Sequence, residues 1–343
     1  MTDLRLKVSA SPHVHSEVTT QKIMLFVVLA LLPTSIASIV IFGPRSLLVQ
    51  MVAVISAVGF EWIARKVMKR RSTIQDLSAV VTGLLLAFNL PVTIPIWMIV
   101  LGSAVAIVLV KQCFGGIGMN FVNPALMARI VLLSSFPEEM ATWQMSRAWT
   151  EGLSNLDSMT TASPLSHLDA MLRNPELTTD SLPSLLDMFL GLRAGSLGET
   201  VIVTLLIGAL FLLVTKVIKP LIPVSFLGTV AIMMLIASGF DINYTLYQLM
   251  SGGLMLGALF MATDYTTSPL NDRGRLVFGI GCGLITGLIR IFGALPEGVS
   301  FAIILMNILV PHIEKLTTRA PFGTEKHTQG KLGFLKPAKK EGQ

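Results

Sequence analysis

Apolar runs long enough to cross a bilayer alternate with short polar segments along most of this chain. The windows fall near residues 23–43, 47–64, 76–90, 95–112, 122–136, 199–215, 221–238, 246–262, 275–291 and 299–312. A crossing helix needs about 20 apolar residues, fewer where the helix is broken. The pattern therefore predicts an all-α polytopic membrane protein with about ten transmembrane helices. The third and fourth windows are separated by only a short segment. They are joined by NLPVTIP (89–95), whose prolines cannot continue a helix.

The windows fall into two sets of five. A shift of 174 residues lays TGLLLAFNLPVTIP (82–95) on LGALFMATDYTTSP (256–269), and FVNPALMA (121–128) on LPEGVSFA (295–302). The identities are Gly83/Gly257, Leu85/Leu259, Thr93/Thr267, Pro95/Pro269 and Ala128/Ala302. What repeats is the order of apolar run, break and polar turn. Five crossings is an odd number, so the second set must enter the membrane upside down. The expected organisation is a polar N-terminal segment (1–22), a first five-span repeat (23–136) and an outer loop (137–198). A second, inverted five-span repeat (199–314) and a basic tail (315–343) follow. Inverted repeats with interrupted helices are the build of transporters and channels. Irregular backbone at membrane depth is tolerated only where it lines a cavity or is buried in protein. The candidate breaks are 89–95, 115–125, 261–269 and 292–298; the simpler reading makes them ordinary turns.

Composition agrees with this class. Hydrophobic residues make up 52% and charged residues 13%, with mean hydropathy +0.72, where soluble domains carry about 25% charged residues. The net charge of +6 suggests nucleic acid until its distribution is seen. With the N-terminus inside, 20 Lys and Arg fall on the inner side and five on the outer, namely Arg45, Arg147, Arg173, Arg193 and Arg290. That bias places both termini in the cytoplasm of a cell (inner) membrane protein. The basic surplus then faces anionic lipid and no nucleic-acid partner is needed. No cleavable signal peptide is expected, because a polar segment leads straight into the first span.

A charge at the centre of a span costs at least ~2.5 kcal/mol, so charges there mark ion or cofactor paths by default. Arg129, Asp264 and Glu297 qualify, with Asn123 and Thr267 as neutral oxygen-bearing neighbours on the breaks. Thr263 and Thr266 are further possible ligands for a cation. Arg290 reads as a helix-end residue reaching the interface. Cys113 and Cys282 stand alone and read as small buried residues, and the five His read as solvated polar residues. No dinucleotide fingerprint, P-loop, iron–sulfur cysteine set or Ser/His/Asp set is present, so the chain has no complete active site of its own.

The outer loop carries LDSMTTASPLSHLD (156–169). Thr160, Thr161 and Ser163 before Pro164 make a Ser/Thr turn. Their hydroxyls are also possible attachment points for a phosphoester. The chain resembles the family of D subunits of Rnf electron-transport complexes over nearly its whole length. The resemblance is carried by SASPHVHSEVTTQKIMLFVVLALLP (9–33), FGGIGMNFVNPALMARI (114–130) and GSLGETVIVTLLIGALFLL (195–213). MATDYTTSP (261–269) and PEGVSFAIILMNILVPHIEK (296–315) carry it too. The B subunits of sodium-pumping NADH:quinone oxidoreductases are relatives with a longer N-terminal extension.

The resemblance implies FMN joined through its phosphate to a hydroxyl in a D-x-x-[S/T]-G-A-[S/T] motif. Asp157, Thr160, Ala162 and Ser163 match it, with Ser163 as the acceptor. Thr161 stands where the family has glycine, and Ser163 where threonine is usual. Also implied are a second, non-covalent flavin such as riboflavin, a flavin transferase as transient partner, and the other subunits of the complex. The implied role is a flavoprotein subunit of a translocase-type ferredoxin:NAD⁺ oxidoreductase that couples electron transfer to Na⁺ or H⁺ movement. The alternatives are a component like the B subunit of the sodium pump, a flavin-free solute transporter or channel, and an unmodified membrane anchor. Bound flavin distinguishes the redox reading from the last two.

Overall fold

The computed structural model describes residues 19–144, 163–173, 182–293 and 297–318. Among them every regular element is helical. Helix α1 (Thr20–Phe42) starts where the Thr19 hydroxyl accepts from the Lys22 amide at 3.3 Å and ends at Gly43, whose φ of 81° a side chain would resist. Pro44 then opens α2 (Pro44–Val67) at its first turn. The exposed residues Leu25, Leu29, Leu32, Ile36 and Val40 recur every three or four positions along α1. That stripe is an apolar face of the kind a bilayer covers.

The third span departs from a simple crossing. Helix α3 (Ser78–Phe88) has 11 residues, ten of them buried. At 1.5 Å per residue it reaches about 16 Å, roughly half the hydrocarbon thickness. After Asn89 the chain turns through the buried NLPVTIP and re-enters as α4 (Ile96–Ala104), which widens into a π-helical stretch (Val105–Gln112). Helix α5 (Pro124–Ser135) begins at Asn123, whose side-chain oxygen accepts from the amides of Ala125 (3.1 Å) and Leu126 (3.3 Å). Short helices α6 (Pro137–Met140), α7 (Pro164–Arg173) and α8 (Leu185–Leu190) follow.

The second set runs α9 (Ile202–Val214), α10 (Leu221–Ala237), α11 (Ile242–Met250), α12 (Leu254–Leu256), α13 (Asp272–Phe292) and α14 (Val299–Thr317). α12 continues as a π-helical turn, Gly257–Met261. The window 246–262 is therefore not one uninterrupted span. Ser251-Gly252-Gly253 breaks it, with Gly252 at φ 65°, and the helix before the break starts four residues earlier than the window. Among the described residues, four helices (α1, α2, α13 and α14) are long and apolar enough to cross a membrane, and the other apolar helices are shorter.

The pairing pattern repeats between the halves. α2 packs on α4 as α10 packs on α13, and α4 packs on α5 as α13 packs on α14. Among the described helices, the main packing contacts between the halves are α1 on α9 and α5 on α14, joining the first spans and the last spans of the two sets. In lipid, helices associate through close packing more than through the hydrophobic effect. The α10–α13 seam shows how. A methyl group on Gly279 would lie 3.0 Å from the Ile222 carbonyl, one on Gly283 2.9 Å from that of Phe226, and one on Gly287 3.2 Å from Met233 Cβ. Both numbers rise together, so the two helices run parallel.

Two further expectations differ from the structure. Cys113 is exposed at the end of the π-helical stretch, whereas Cys282 is buried as expected. Arg290 is 1% exposed and does not reach out to an interface.

Candidate functional site

The breaks expose backbone groups that a helix would have satisfied, and neighbouring segments take up several of them. The amides of Leu197 and Gly198 donate to the carbonyls of Leu90 (3.2 Å) and Phe88 (2.9 Å), so the buried segment 193–200 closes the end of α3. Arg45 holds the same break from the other side, donating to the carbonyls of Val92 (2.9 Å), Thr93 (3.2 Å) and Ile94 (3.3 Å).

Between the start of α3, the loop 117–125 and the segment 260–266 lies a partly open cavity of about 90 Å³. Its polar wall includes Ser78, Lys111, Asn120, Asn123, Asp264 and Thr266. Lys111 donates to Glu61 and to the Ser78 hydroxyl, both at 2.7 Å, and Thr73 donates to the other Glu61 oxygen at 2.5 Å. Both charged side chains are almost fully buried. Such a pair is costly to desolvate and costlier to split, which makes it a rigid fixture of the cavity wall. Asp264 lies past the end of the π-helical turn, in the polar segment between spans. Its carboxylate accepts from the Thr266 hydroxyl (2.9 Å), the Thr267 hydroxyl (3.4 Å) and the Thr266 amide (3.3 Å). Burial pushes its carboxyl above the ordinary range, and the two threonines pull the other way. Asn120 ties this turn to the first half by donating to the Thr266 hydroxyl at 3.0 Å. Asn123 donates to the Met261 carbonyl at 3.3 Å. With its amide oriented to suit its neighbours, Asn307 donates to the Thr267 carbonyl and accepts from the Asn123 amide.

A second polar centre lies beyond Asn89. Arg129 on α5 donates to the Asn89 side-chain oxygen at 2.6 Å and pairs with Glu297, just before α14. The ion pair joins the two halves directly. Around it, Arg290 donates to the Gln248 carbonyl (2.6 Å), the Gln248 side-chain oxygen (3.1 Å) and the Ser251 carbonyl (3.0 Å). Arg193 donates to the Glu199 carbonyl at 2.7 Å. One Glu199 oxygen and the Nε groups of Arg129, Arg193 and Arg290 are buried without a partner among the described residues. This centre is rich in donors and holds three arginines against two carboxylates.

The five path residues expected from sequence thus divide into two groups. Asn123, Asp264 and Thr267 surround the junction of the two breaks, and Arg129 with Glu297 forms the second centre. Asn89 connects them, since its amide also lies 3.5 Å from the Met261 sulfur. Sequence reasoning missed Glu61, Lys111, Arg193 and Glu199. Lys111 and Arg193 read as loop charges, and the signal that could have found Glu61 is an acid four residues before Arg65 inside an apolar run. Of the attachment motif, Asp157, Thr160, Thr161 and Ala162 lie outside the described residues. Ser163 is described: it precedes α7, and its hydroxyl oxygen accepts from the Ser166 amide at 3.3 Å, capping the helix. Leu165, two residues on, packs over Gly252 beside Arg290.

The chain matches the NQR2, RnfD, RnfE family over residues 7–323. Among similar proteins is the D subunit of the Na⁺-translocating ferredoxin:NAD⁺ oxidoreductase complex of Acetobacterium woodii, 45% identical over 95% of this chain and 98% of its own length. The D subunit of the proton-translocating ferredoxin:NAD⁺ oxidoreductase complex of Clostridium ljungdahlii is 40% identical over 93% of this chain and 96% of its own. The D subunit of the ion-translocating oxidoreductase complex of Stutzerimonas stutzeri is 39% identical over 89% and 92%. At this identity and coverage, the chain belongs to the NQR2, RnfD, RnfE family.

Proposed function

We propose that this chain is the D-type membrane subunit of an Rnf complex, a ferredoxin:NAD⁺ oxidoreductase that moves Na⁺ or H⁺ across the membrane. The observation that carries the reading is the near full-length similarity to proteins so named, at 45% and 40% identity. The bias of 20 basic residues against five supports a cytoplasmic-membrane location with both termini in the cytoplasm. The chain works with the other subunits, because it carries neither a nicotinamide nor an iron–sulfur motif.

Ser163 is the proposed acceptor of FMN, added by a flavin transferase on the outer side. The residues present fit that group. The hydroxyl sits at the N-terminus of a ten-residue helix, where backbone amides and the helix dipole favour a phosphate. Flavin, once bound, supplies one- and two-electron chemistry that no side chain here can perform. The chain's own part is to position and to couple. α7 rests on the arginine-rich centre, whose positive charge and unmet donors favour electron-rich neighbours. The Arg129–Glu297 pair transmits any change there to the interface of the two halves. The cavity between α3, the loop 117–125 and the segment 260–266 has mainly apolar walls with a few polar groups, as small-molecule sites do, and is the proposed seat of the second, non-covalent flavin. Asn123, Asp264 and Thr267 are the proposed ion-path residues beside it.

In-gel flavin fluorescence of the SDS-denatured chain, coexpressed with the transferase, tests the assignment. Wild type is expected to fluoresce and Ser163→Ala not. Fluorescence in both would move the ester to Thr160 or Thr161. Fluorescence in neither, with a labelled control substrate, would favour the flavin-free transporter.

A further inference from the structure

Adjoining the first cavity across Val217, Ile218, Thr263 and Tyr265, a second, partly open cavity of about 180 Å³ lies where α9 ends and α10 and α13 begin. Lys216, Lys219 and Arg275 line it, with the hydroxyl-bearing Ser268 and Tyr265. The only acid in contact with these cations among the described residues is Asp272, which pairs with Lys219 (2.7 Å) and Arg275 (2.9 Å). Three positive charges thus meet one negative charge, and Lys216 forms no ion pair with a described residue. We propose that this cavity is a binding site for a phosphate group, of the kind carried by an anionic phospholipid or by free phosphate.

Three independent features converge on that chemistry. Lys216 and Lys219 come from the α9–α10 turn and Arg275 from α13, so distant parts of the sequence supply the charge. α10 and α13 run parallel along their glycine seam, which brings two helix N-termini to the same end. Each presents amides without intrahelical partners and the positive pole of a dipole, and Ile222 and Arg275 of their first turns line the cavity. Tyr265 is fixed by donating to the Val217 carbonyl, so it shapes the wall. Flanking the cavity, Val214, Leu270, Leu276 and Val277 are exposed apolar side chains. A phosphate headgroup at the cations with acyl chains along this flank satisfies both surfaces at once.

The full-length chain, purified in neutral detergent and stripped of lipid, is titrated with phosphatidylglycerol, phosphatidylcholine or inorganic phosphate while its unfolding midpoint is followed. Saturable stabilisation by phosphatidylglycerol alone identifies a lipid headgroup site, and stabilisation by inorganic phosphate as well identifies a general phosphate site. Each lysine near a membrane surface contributes roughly five-fold in affinity. Lys216→Gln with Lys219→Gln is therefore expected to weaken binding about 25-fold. Both lysines are exposed, so the variant keeps its fold. Asp272→Asn removes the competing anion and is expected to tighten binding, a gain that a damaged fold does not produce. Lys66→Gln with Lys69→Gln, on the same basic side but outside the cavity, is expected to bind as wild type. Equal stabilisation by phosphatidylcholine, equal loss in the Lys66/Lys69 variant, or weaker binding by Asp272→Asn would overturn the proposal.

Discussion

The two chain breaks related by the internal repeat solve one problem with opposite charges. In the first half, NLPVTIP leaves carbonyls that a helix would have used, and the Arg45 guanidinium takes three of them from outside. In the second half, MATDYTTSP is held from within, by the Asp264 carboxylate accepting from an amide and two hydroxyls. Arg275 adds a bond to the Pro269 carbonyl at 3.1 Å. A guanidinium stays charged at any pH a protein meets, whereas a carboxylate can take up a proton. Of the two breaks only the second carries a titratable carboxyl group, and that group lines the cavity between the halves.

The sharpest way to break this picture is at the pair that holds the halves together. Glu297→Gln leaves the Arg129 charge buried with only neutral oxygens, that of Asn89 and that of the substituted amide, to accept from it. Stranding a buried charge costs about 3 kcal/mol or more. Thermal unfolding in detergent is expected to show a larger midpoint drop here than for any variant at the two breaks. A double change of Arg129→Met with Glu297→Gln is expected to recover part of it, because no charge is then stranded. A Glu297→Gln protein as stable as wild type would mean that the halves are held by helix packing alone.

The next effect is local. Arg45 is exposed, so its three bonds are discounted for solvent, and Arg45→Ala is expected to cost about 1 kcal/mol. Lysine cannot reach three carbonyls with a planar fork, so Arg45→Lys is expected to restore only part. Hydrogen exchange should rise at residues 90, 92 and 93 and stay unchanged across 262–271. An equal rise in both breaks would show that they open together and would erase the difference between them.

How far the sequence reveals this architecture depends on the range of the interaction concerned. Span positions, the NLPVTIP break and the shift relating the halves are legible, because apolar run length and proline act locally. Arg129, Asp264 and Glu297 are legible as unusual because a charge in an apolar run is visible by itself. Lys111 is not: at the end of its run it reads as one more loop cation. Only Glu61, 50 residues away, makes it a buried partner. Arg290 misleads for the same reason, since its partners are the carbonyls of Gln248 and Ser251 on another helix. The 251–253 break is hidden because Ser-Gly-Gly is apolar enough to pass within a hydrophobic window. Ser163 sits at a helix start that Pro164 foreshadows.

The smallest expected effect separates the two breaks by pH. Burial raises the carboxyl of Asp264 in the folded chain above its unfolded value. In the window between the two values the folded state binds more protons than the unfolded state, so stability falls as pH rises through it. Below the unfolded value, about 3.9 for aspartate, the group is neutral in both states and costs nothing. Above the folded value the cost is complete. Asp264→Asn keeps an oxygen to accept from Thr266 and Thr267 but cannot ionise. It is therefore expected to match wild type at acidic pH and to unfold slightly later near neutral pH. Arg45→Ala, by contrast, should shift the midpoint equally at every pH. Unfolding midpoints of both variants from pH 4 to 8 decide the matter. If Asp264→Asn is destabilised by the same amount throughout, the carboxylate is ionised in the folded chain and the threonine hydroxyls outweigh burial. The second break would then be as fixed in charge as the first, and the protonatable step would have to lie elsewhere in the cavity wall.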